Sequence, residues 1–396
     1  MWIVALKKFR RNFIKNRQAQ RKIKARNKQI KKGNRAVIRS GKKNQKMKPS
    51  ILIGPTNAAG QAWQWSQVLS ASGNLAKSMR VVSDLEEIFE ADIKIPRQDF
   101  LSWENRLKIA TELFSQFNTI FIESMRPLFG LQSDKKNLTT EDFFEDLNLL
   151  KKSKIKSAVI LHGSDIRDPE MHKQKCEFSP FHHAPIEAET VFQKALENRK
   201  LLFELKKKGI PVFITTPDLF QEVDFGTWLP VSINWEKFND IADKSPAFNH
   251  AGPVKVLYLP SKNWIKSAEI IQPILEKLDQ AGEIEWIKSP MVNHDQVPNL
   301  IAQCDVLIDQ FLGIVGVLPC EAMAAGRMVL THNAIWANSR LPEIPPVIDI
   351  NPQNLESILR NLKKDDALIT KARTYVKRWH DGTESATRLS KALNLK

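Results

Sequence analysis

Residues 309–326 read DQFLGIVGVLPCEAMAAG: an apolar strand end, two glycines at 313 and 316, then a small-residue helical run carrying one acid, Glu321. Strand, glycine turn and helix in this order are the repeating unit of a doubly wound α/β sheet. Glu321 stands among Leu318, Pro319, Ala322, Met323 and Ala324. Burying an ionised carboxylate without partners costs several kcal/mol, so this acid should have something to hold. It can accept two hydroxyls of a vicinal diol such as a ribose, or it can cap a neighbouring helix. The glycines let backbone amides at the start of a helix near Pro319 approach an anion, although glycines in that place also serve tight packing.

Outward from this segment, short apolar runs alternate with amphipathic stretches. SILIGP, SMRVVS, NTIFIES, SAVILHG and IPVFITTP form one series, with its longest helical segment near 186–209; VKVLYLP, IEWIKSP, VLIDQ and MVLTH form another. Such alternation predicts parallel sheets covered by helices on both faces. The fold class expected is therefore α/β, with two doubly wound Rossmann-like domains facing a cleft and a short hinge at WLPVSINW, 228–235. A length of 396 residues and 42% hydrophobic composition suit two domains. The expected divisions are a basic arm over 1–48, a first domain over 49–232, a second over 233–372, and a helical C-terminal piece over 373–396.

The formal charge of +16 is not spread over the chain. Residues 1–50 hold 12 Lys and 7 Arg and no acid, leaving 41 basic against 44 acidic residues elsewhere. A slightly acidic body argues against a specific nucleic-acid surface. In the arm, Trp2, Leu6, Phe9 and Phe13 share one helical face, the pattern of an interfacial helix. From Asn16 to Lys48 the chain is nearly all Lys, Arg, Asn and Gln, with Ile23, Ile30, Val37 and Ile38 isolated and Gly33 and Gly41 weakening a helix, so it is expected not to bury itself. The arm is read as helical or disordered, seated on an anionic membrane surface or else a solvated tail. Cys176, Cys304 and Cys320 contain no Cys-x-x-Cys pair, which suits a reducing compartment. No segment is a signal-peptide core or a membrane span. The expectation is a cytoplasmic protein, peripheral on the inner membrane face.

In open α/β sheets ligands gather beyond the carboxyl ends of the strands, and four motifs fall there: GPTNAAGQAWQW, HGSDIRDP, PSKNWIKS and GIVGVLPCEA. Lys266 sits where an ammonium could neutralise a diphosphate, though surface lysines are common. His162 and Asp165 close a strand of the first half; such a His can bond a sugar hydroxyl or be structural. His172, Cys176, His182 and His183 lack a familiar zinc spacing and lie in a segment read as a flexible loop, so no metal site is expected. A Gly-x-Ser-x-Gly elbow, a Walker loop and a dinucleotide fingerprint are all missing.

The Glu321-Ala322-Met323-Ala324-Ala325-Gly326 block resembles the helix start of retaining GT-B glycosyltransferases of family 4. ILIGPTNAAGQAWQW is similar to that family's first glycine loop, LHGSDIRDP to its His-Gly-x-Asp region, and PSKNWIKS to its diphosphate segment; the likeness spans roughly residues 50–396. The resemblance implies a hexosyltransferase that needs no metal or cofactor and uses a nucleotide diphosphate sugar as co-substrate. The first domain would take the acceptor, a glycan or a lipid-linked hydroxyl, and the C-terminal helix would cross back to it. Glu321 would bind ribose hydroxyls, with Gly313, Gly316, Val317 and Ala322 completing the donor site. Lys266, with Asn263 beside it, would hold the diphosphate, and His162 would contact the sugar near the reacting carbon. Gly60, Gln61 and Asp165 would form the acceptor or phosphate loop. Two positions depart from the family: Gly313 stands where a first Glu is common, and Asn263 where Arg is common. Asp309 is the stand-in considered for that Glu. A non-catalytic GT-B-like binding or scaffold protein at the membrane is the alternative these departures leave open.

Overall fold

The computed structural model describes residues 2–44, 48–82, 89–132, 134–260, 263–289 and 293–394, with side chains from residue 17 onward. Seven strands, β1 (Ser50–Gly54), β2 (Leu75–Val82), β3 (Ile93–Pro96), β4 (Thr119–Glu123), β5 (Lys156–Leu161), β6 (Val212–Ile214) and β7 (Thr227–Trp228), form one parallel sheet in the order β3-β2-β1-β4-β5-β6-β7. Five more, β8 (Val254–Tyr258), β9 (Ile284–Ile287), β10 (Val306–Ile308), β11 (Met328–Thr331) and β12 (Ile348–Asp349), form a second parallel sheet in the order β12-β11-β10-β8-β9. Both orders reverse once, between β1 and β4 and between β8 and β10. Each sheet therefore has one crevice beyond its strand ends where connections leave in opposite directions.

The strands are legible as continuous apolar runs because both faces are covered; every residue of β1 and β4 is buried. On the first sheet's faces lie α1 (Trp2–Lys43), α2 (Gln61–Ala71), α3 (Trp103–Gln116), α4 (Thr140–Lys152), the short α5 (Gly163–Ile166) and α6 (Pro169–Lys175), and α7 (Glu189–Lys207). The second half carries α8 (Trp235–Lys244), α9 (Ala268–Gln280), α10 (Val297–Gln303), α11 (Val317–Ala324), α12 (Ile335–Asn338), α13 (Leu355–Asn361) and α14 (Asp366–Trp379), and the chain ends in α15 (Thr383–Ala392). Packing decides where α15 goes: Leu389 and Leu393 join Ile51, Trp65 and Phe121 in the first half's core. Ser385 fixes the crossing by donating to Pro230 O at 2.8 Å.

The arm is helical, one of its two expected forms, and departs from expectation in burying part of itself. It is one helix of 42 residues, and its C-terminal part packs on α3 and α4, with Ile30 and Val37 buried. Its glycines act as contact surfaces: a Cβ on Gly33 would lie 2.9 Å from the Trp103 ring, and one on Gly41 would lie 2.8 Å from Ser153 Cβ. Ser40 Oγ donates to Thr111 O at 3.1 Å, and Arg26 pairs with Glu104 and Asp134 while lying 4.7 Å over Trp103. Two apolar residues seven apart, with Gly33 and Gly41 on the same face, were enough to bury that face because α3 offers a partner, which sequence composition does not reveal. The Trp2, Leu6, Phe9 and Phe13 side chains lie outside the described residues. Gly41→Leu is expected to cost about 1–3 kcal/mol in urea unfolding through overpacking against Ser153, and an unchanged midpoint would refute this seam.

A second departure is the segment that carries His172, Cys176, His182 and His183, read as a flexible loop. It is α6 followed by two short 3-10 turns, and it straps the first half onto the glycine loop of the second. Asp168 caps α6 by accepting from Glu170 N and Met171 N. Phe181 then packs with Leu312, Ile314, Phe192, Trp264 and Trp336. His172 Nε2 donates to Leu312 O at 2.9 Å, which leaves Nδ1 to accept from Ser179 Oγ at 2.8 Å.

Candidate functional site

The crevice between β1 and β4 is filled by the chain itself. The apolar run of β4 ends in Glu123, fully buried, whose carboxylate accepts from the amides of Thr56 at 3.0 Å, Asn57 at 2.7 Å and Ala58 at 3.4 Å. The amides at the turn after β1, which could cradle an anion, are thus engaged by an internal carboxylate. His162 Nε2 lies 3.1 Å from the same carboxylate, and its Nδ1 lies 3.2 Å from Thr215 Oγ1. Burial pushes Glu123 up, but His162 and the loop amides outweigh it and hold the group below the usual carboxylate range. Burial likewise works against a charged His162, and Glu123 and Asp165 more than compensate, so its pKa is raised. The result is a His162–Glu123 pair in which each partner favours the other's charged form, with the imidazole stacked against Trp65. Asp165 accepts from His162 N at 2.6 Å and so acts on the turn's geometry.

The crevice between β8 and β10 holds another internal pair. Lys266 bonds Asp309, which directly follows β10 and is 1% exposed, while the second Asp309 oxygen has no hydrogen-bond partner among the described residues. Asn263 is exposed, and its carbonyl accepts from Ala268 N at 2.9 Å. Gly313 cannot carry a side chain here: its φ is +87°, and a Cβ would lie 2.7 Å from Ala334 Cβ. Asp309, the stand-in considered for that acid, is engaged by Lys266.

Between the halves lies a cavity of about 350 Å³. Gly60, Gln61, Trp63 and Phe89 line it from the first half, Lys237 from the hinge region, and His294, Val317 and Glu321 from the second half. Gln61 is clasped to the hinge, accepting from Ser232 N at 2.7 Å and donating to Ser232 O at 3.1 Å. The helix after the glycine loop begins at Val317 with Gly316 as its N-cap, two residues before the start expected near Pro319, so Glu321 opens its second turn. Around Gly316 there is open space, whereas Gly313 and Ala322 are interior. Glu321 is 3% exposed and its Oε1 lies 2.8 Å from His294 Nε2. Burial outweighs His294 and Lys237 and leaves the Glu321 carboxyl raised, and the hydrogen bond to Glu321 raises His294.

The structure thus gathers Gly60, Gln61, Val317 and Glu321 around one cavity. It places His162 with Asp165 in the first crevice, and Lys266 near Asn263 in the second. Sequence reasoning missed Glu123 and His294. An acid ending the apolar run TIFIE was a usable signal for Glu123; nothing in IKSPMVNHDQ distinguished His294. Among the described residues no group of three or more His, Cys, Asp and Glu side chains is arranged to hold a metal ion. His172 and Cys176 instead face the carbonyls of Leu312 and Phe311.

No protein-family model and no curated protein matches the chain. Solved structures do. Sucrose-phosphate synthase from Thermosynechococcus elongatus aligns over 87% of this chain and 98% of its own, at 14% identity and a TM-score of 0.54. HepE from Anabaena, in complex with UDP and glucose, aligns over 88% and 100%, at 12% identity and a TM-score of 0.54. The fold is GT-B. A glycosyltransferase from Rickettsia africae agrees, at 12% identity, 88% and 98% coverage and a TM-score of 0.52. In GT-B terms the two parallel sheets are the Rossmann-like halves, and the 350 Å³ cavity lies in the cleft between them.

Proposed function

We propose that the chain is a glycosyltransferase that moves a hexose from a nucleotide diphosphate sugar to an acceptor hydroxyl with retention of configuration. The observation that carries this reading is Glu321: a nearly buried carboxylate, on the helix after a glycine loop, lining a cavity between two GT-B halves. In it Glu321 takes the ribose diol, and the amides at Gly316 and Val317 face the donor phosphates. Lys266 has three donors, so it can keep Asp309 and still offer hydrogen to a diphosphate leaving group. His162, held by Glu123, would contact the sugar near the reacting carbon. In the reaction the departing phosphate oxygen takes the acceptor proton as the new glycosidic bond forms. The cleft supplies orientation and keeps water from the donor.

Residues 49–232 would serve the acceptor and 233–372 the donor. The acceptor is proposed to be a cell-envelope glycan or a lipid-linked hydroxyl, met at the inner membrane face. What supports that place is α1: every side chain from Arg17 to Ala25 is exposed, and the arm that carries these basic residues contains no acid. No described helix is long and apolar enough to cross a membrane. Flotation with vesicles rich in phosphatidylserine, with and without residues 1–25, tests it; equal flotation of both forms removes the membrane reading.

The deciding experiment is a calorimetric titration with UDP, GDP and ADP and their hexose conjugates. One nucleotide should bind, and Glu321→Ala should weaken it about 10–100-fold, the loss of a hydrogen bond to a charged group. Wild-type affinity in Glu321→Ala would overturn the assignment. The non-catalytic alternative is favoured by Gly313, which cannot accept an acid, and by the internal partners of His162 and Lys266. Donor hydrolysis or sugar transfer by the purified protein would exclude it.

A further inference from the structure

His294 sits on the 3-10 turn His294–Gln296 that follows β9, a part of the cavity wall that the glycine loop and its helix do not reach. Its Nε2 meets Glu321 Oε1 at 2.8 Å, while the other carboxylate oxygen has no partner among the described residues. The Phe89 ring, from the opposite half, lies 5.3 Å from the imidazole at 49° and limits its outward swing. We propose that His294 is the positioning residue of the nucleotide site, holding Glu321 ionised and aimed into the cavity so that both ribose hydroxyls find an acceptor. This rests on the glycosyltransferase reading above.

The physical argument starts from burial. A carboxyl 3% exposed is driven toward its neutral form, which carries a proton on one oxygen and loses acceptor capacity for a diol. Two cations oppose this: His294 in direct contact, and Lys237 from α8. Other charged groups facing the imidazole region do not replace it. Asp295 on the same turn favours a charged imidazole and Lys237 opposes it, while Glu90 and Lys94 from the first half line the same cavity. His294 therefore supplies both the hydrogen bond that fixes the Glu321 rotamer and the charge that keeps it an acceptor. The pair also satisfies a carboxylate oxygen that would otherwise be buried unbonded.

The test is the pH profile of nucleotide binding. UDP, GDP and ADP are titrated into the wild-type protein and into His294→Leu and His294→Arg. With the imidazole gone, binding by His294→Leu should be at least about tenfold weaker than wild type near neutral pH, the loss of a charge-assisted hydrogen bond, and should recover as the pH is raised. His294→Arg should restore a flat profile, and Glu321→Gln should bind weakly at every pH. A loss in His294→Leu that is equal at neutral and at raised pH, or no loss, overturns the proposal while the glycosyltransferase reading stands. If His294→Leu does not fold, His294→Arg decides: a flat profile close to wild type supports the charge requirement, and a loss at all pH values overturns it. Absence of binding to wild type at any pH overturns the underlying reading instead.

Discussion

Lys266→Met is expected to lower unfolding free energy by on the order of 3–5 kcal/mol, because it strands Asp309 as a buried, uncompensated charge. The aspartate is 1% exposed, and its other oxygen has no hydrogen-bond partner among the described residues, so Lys266 is what offsets its burial. Lys266→Met combined with Asp309→Leu should regain most of the loss, since removing both members of a buried pair is often near neutral. Urea unfolding of the two variants measures this, and a single variant within about 1 kcal/mol of wild type would sink it. The double variant also separates stability from chemistry. A folded protein without the Lys266 ammonium should bind nucleotide yet turn over slowly if that group stabilises the leaving diphosphate.

The second large effect concerns acid. Burial pushes both His172 and His380 down to about 4, and each donates to a backbone carbonyl, Leu312 O and Val231 O respectively. Unfolded, each imidazole would titrate near its ordinary value of 6.5. The stability from a neutral, buried imidazole is therefore complete above about pH 6.5 and is lost as pH falls toward about 4, on the order of 3 kcal/mol for each group. The total stability curve does not isolate this, because burial raises Asp146 and Glu222 to about 7 and their contributions run the other way in the same window. The readout is a difference. His172→Asn keeps a donor for Leu312 O without a titrating group, so it should lose less stability than wild type between about pH 6.5 and about pH 4. Parallel curves for the two proteins would contradict the neutral-imidazole account.

Much of the fold was legible because a parallel sheet buried on both faces writes itself as continuous apolar runs, as in SILIG and TIFIE. The GT-B pattern was legible in the block from Glu321 to Gly326. What the sequence concealed were pairings between distant segments. Val37 and Gly41 look like isolated interruptions of a polar tract until α3 is placed against them. The segment from 169 to 188, rich in Lys and His, becomes ordered only because Leu312 and Ile314 stand beneath Phe181. At the site, the sequence pointed to Glu321 and Lys266 but not to the residues that hold them. Asp309 was visible as an acid yet not as Lys266's partner, and His294 is 27 positions from Glu321 in a loop without periodicity.

The strap over the glycine loop also bears on how often that loop opens. Phe181 is buried with Leu312 and Ile314, and His172 and Cys176 are bonded to the carbonyls of Leu312 and Phe311. Lifting that cover exposes several apolar side chains and breaks both bonds together, so the open form is a rare, sub-global fluctuation. The loop that leads into the Glu321 helix is thereby held by a segment of the other half, and Phe181→Ala would quicken amide exchange along it.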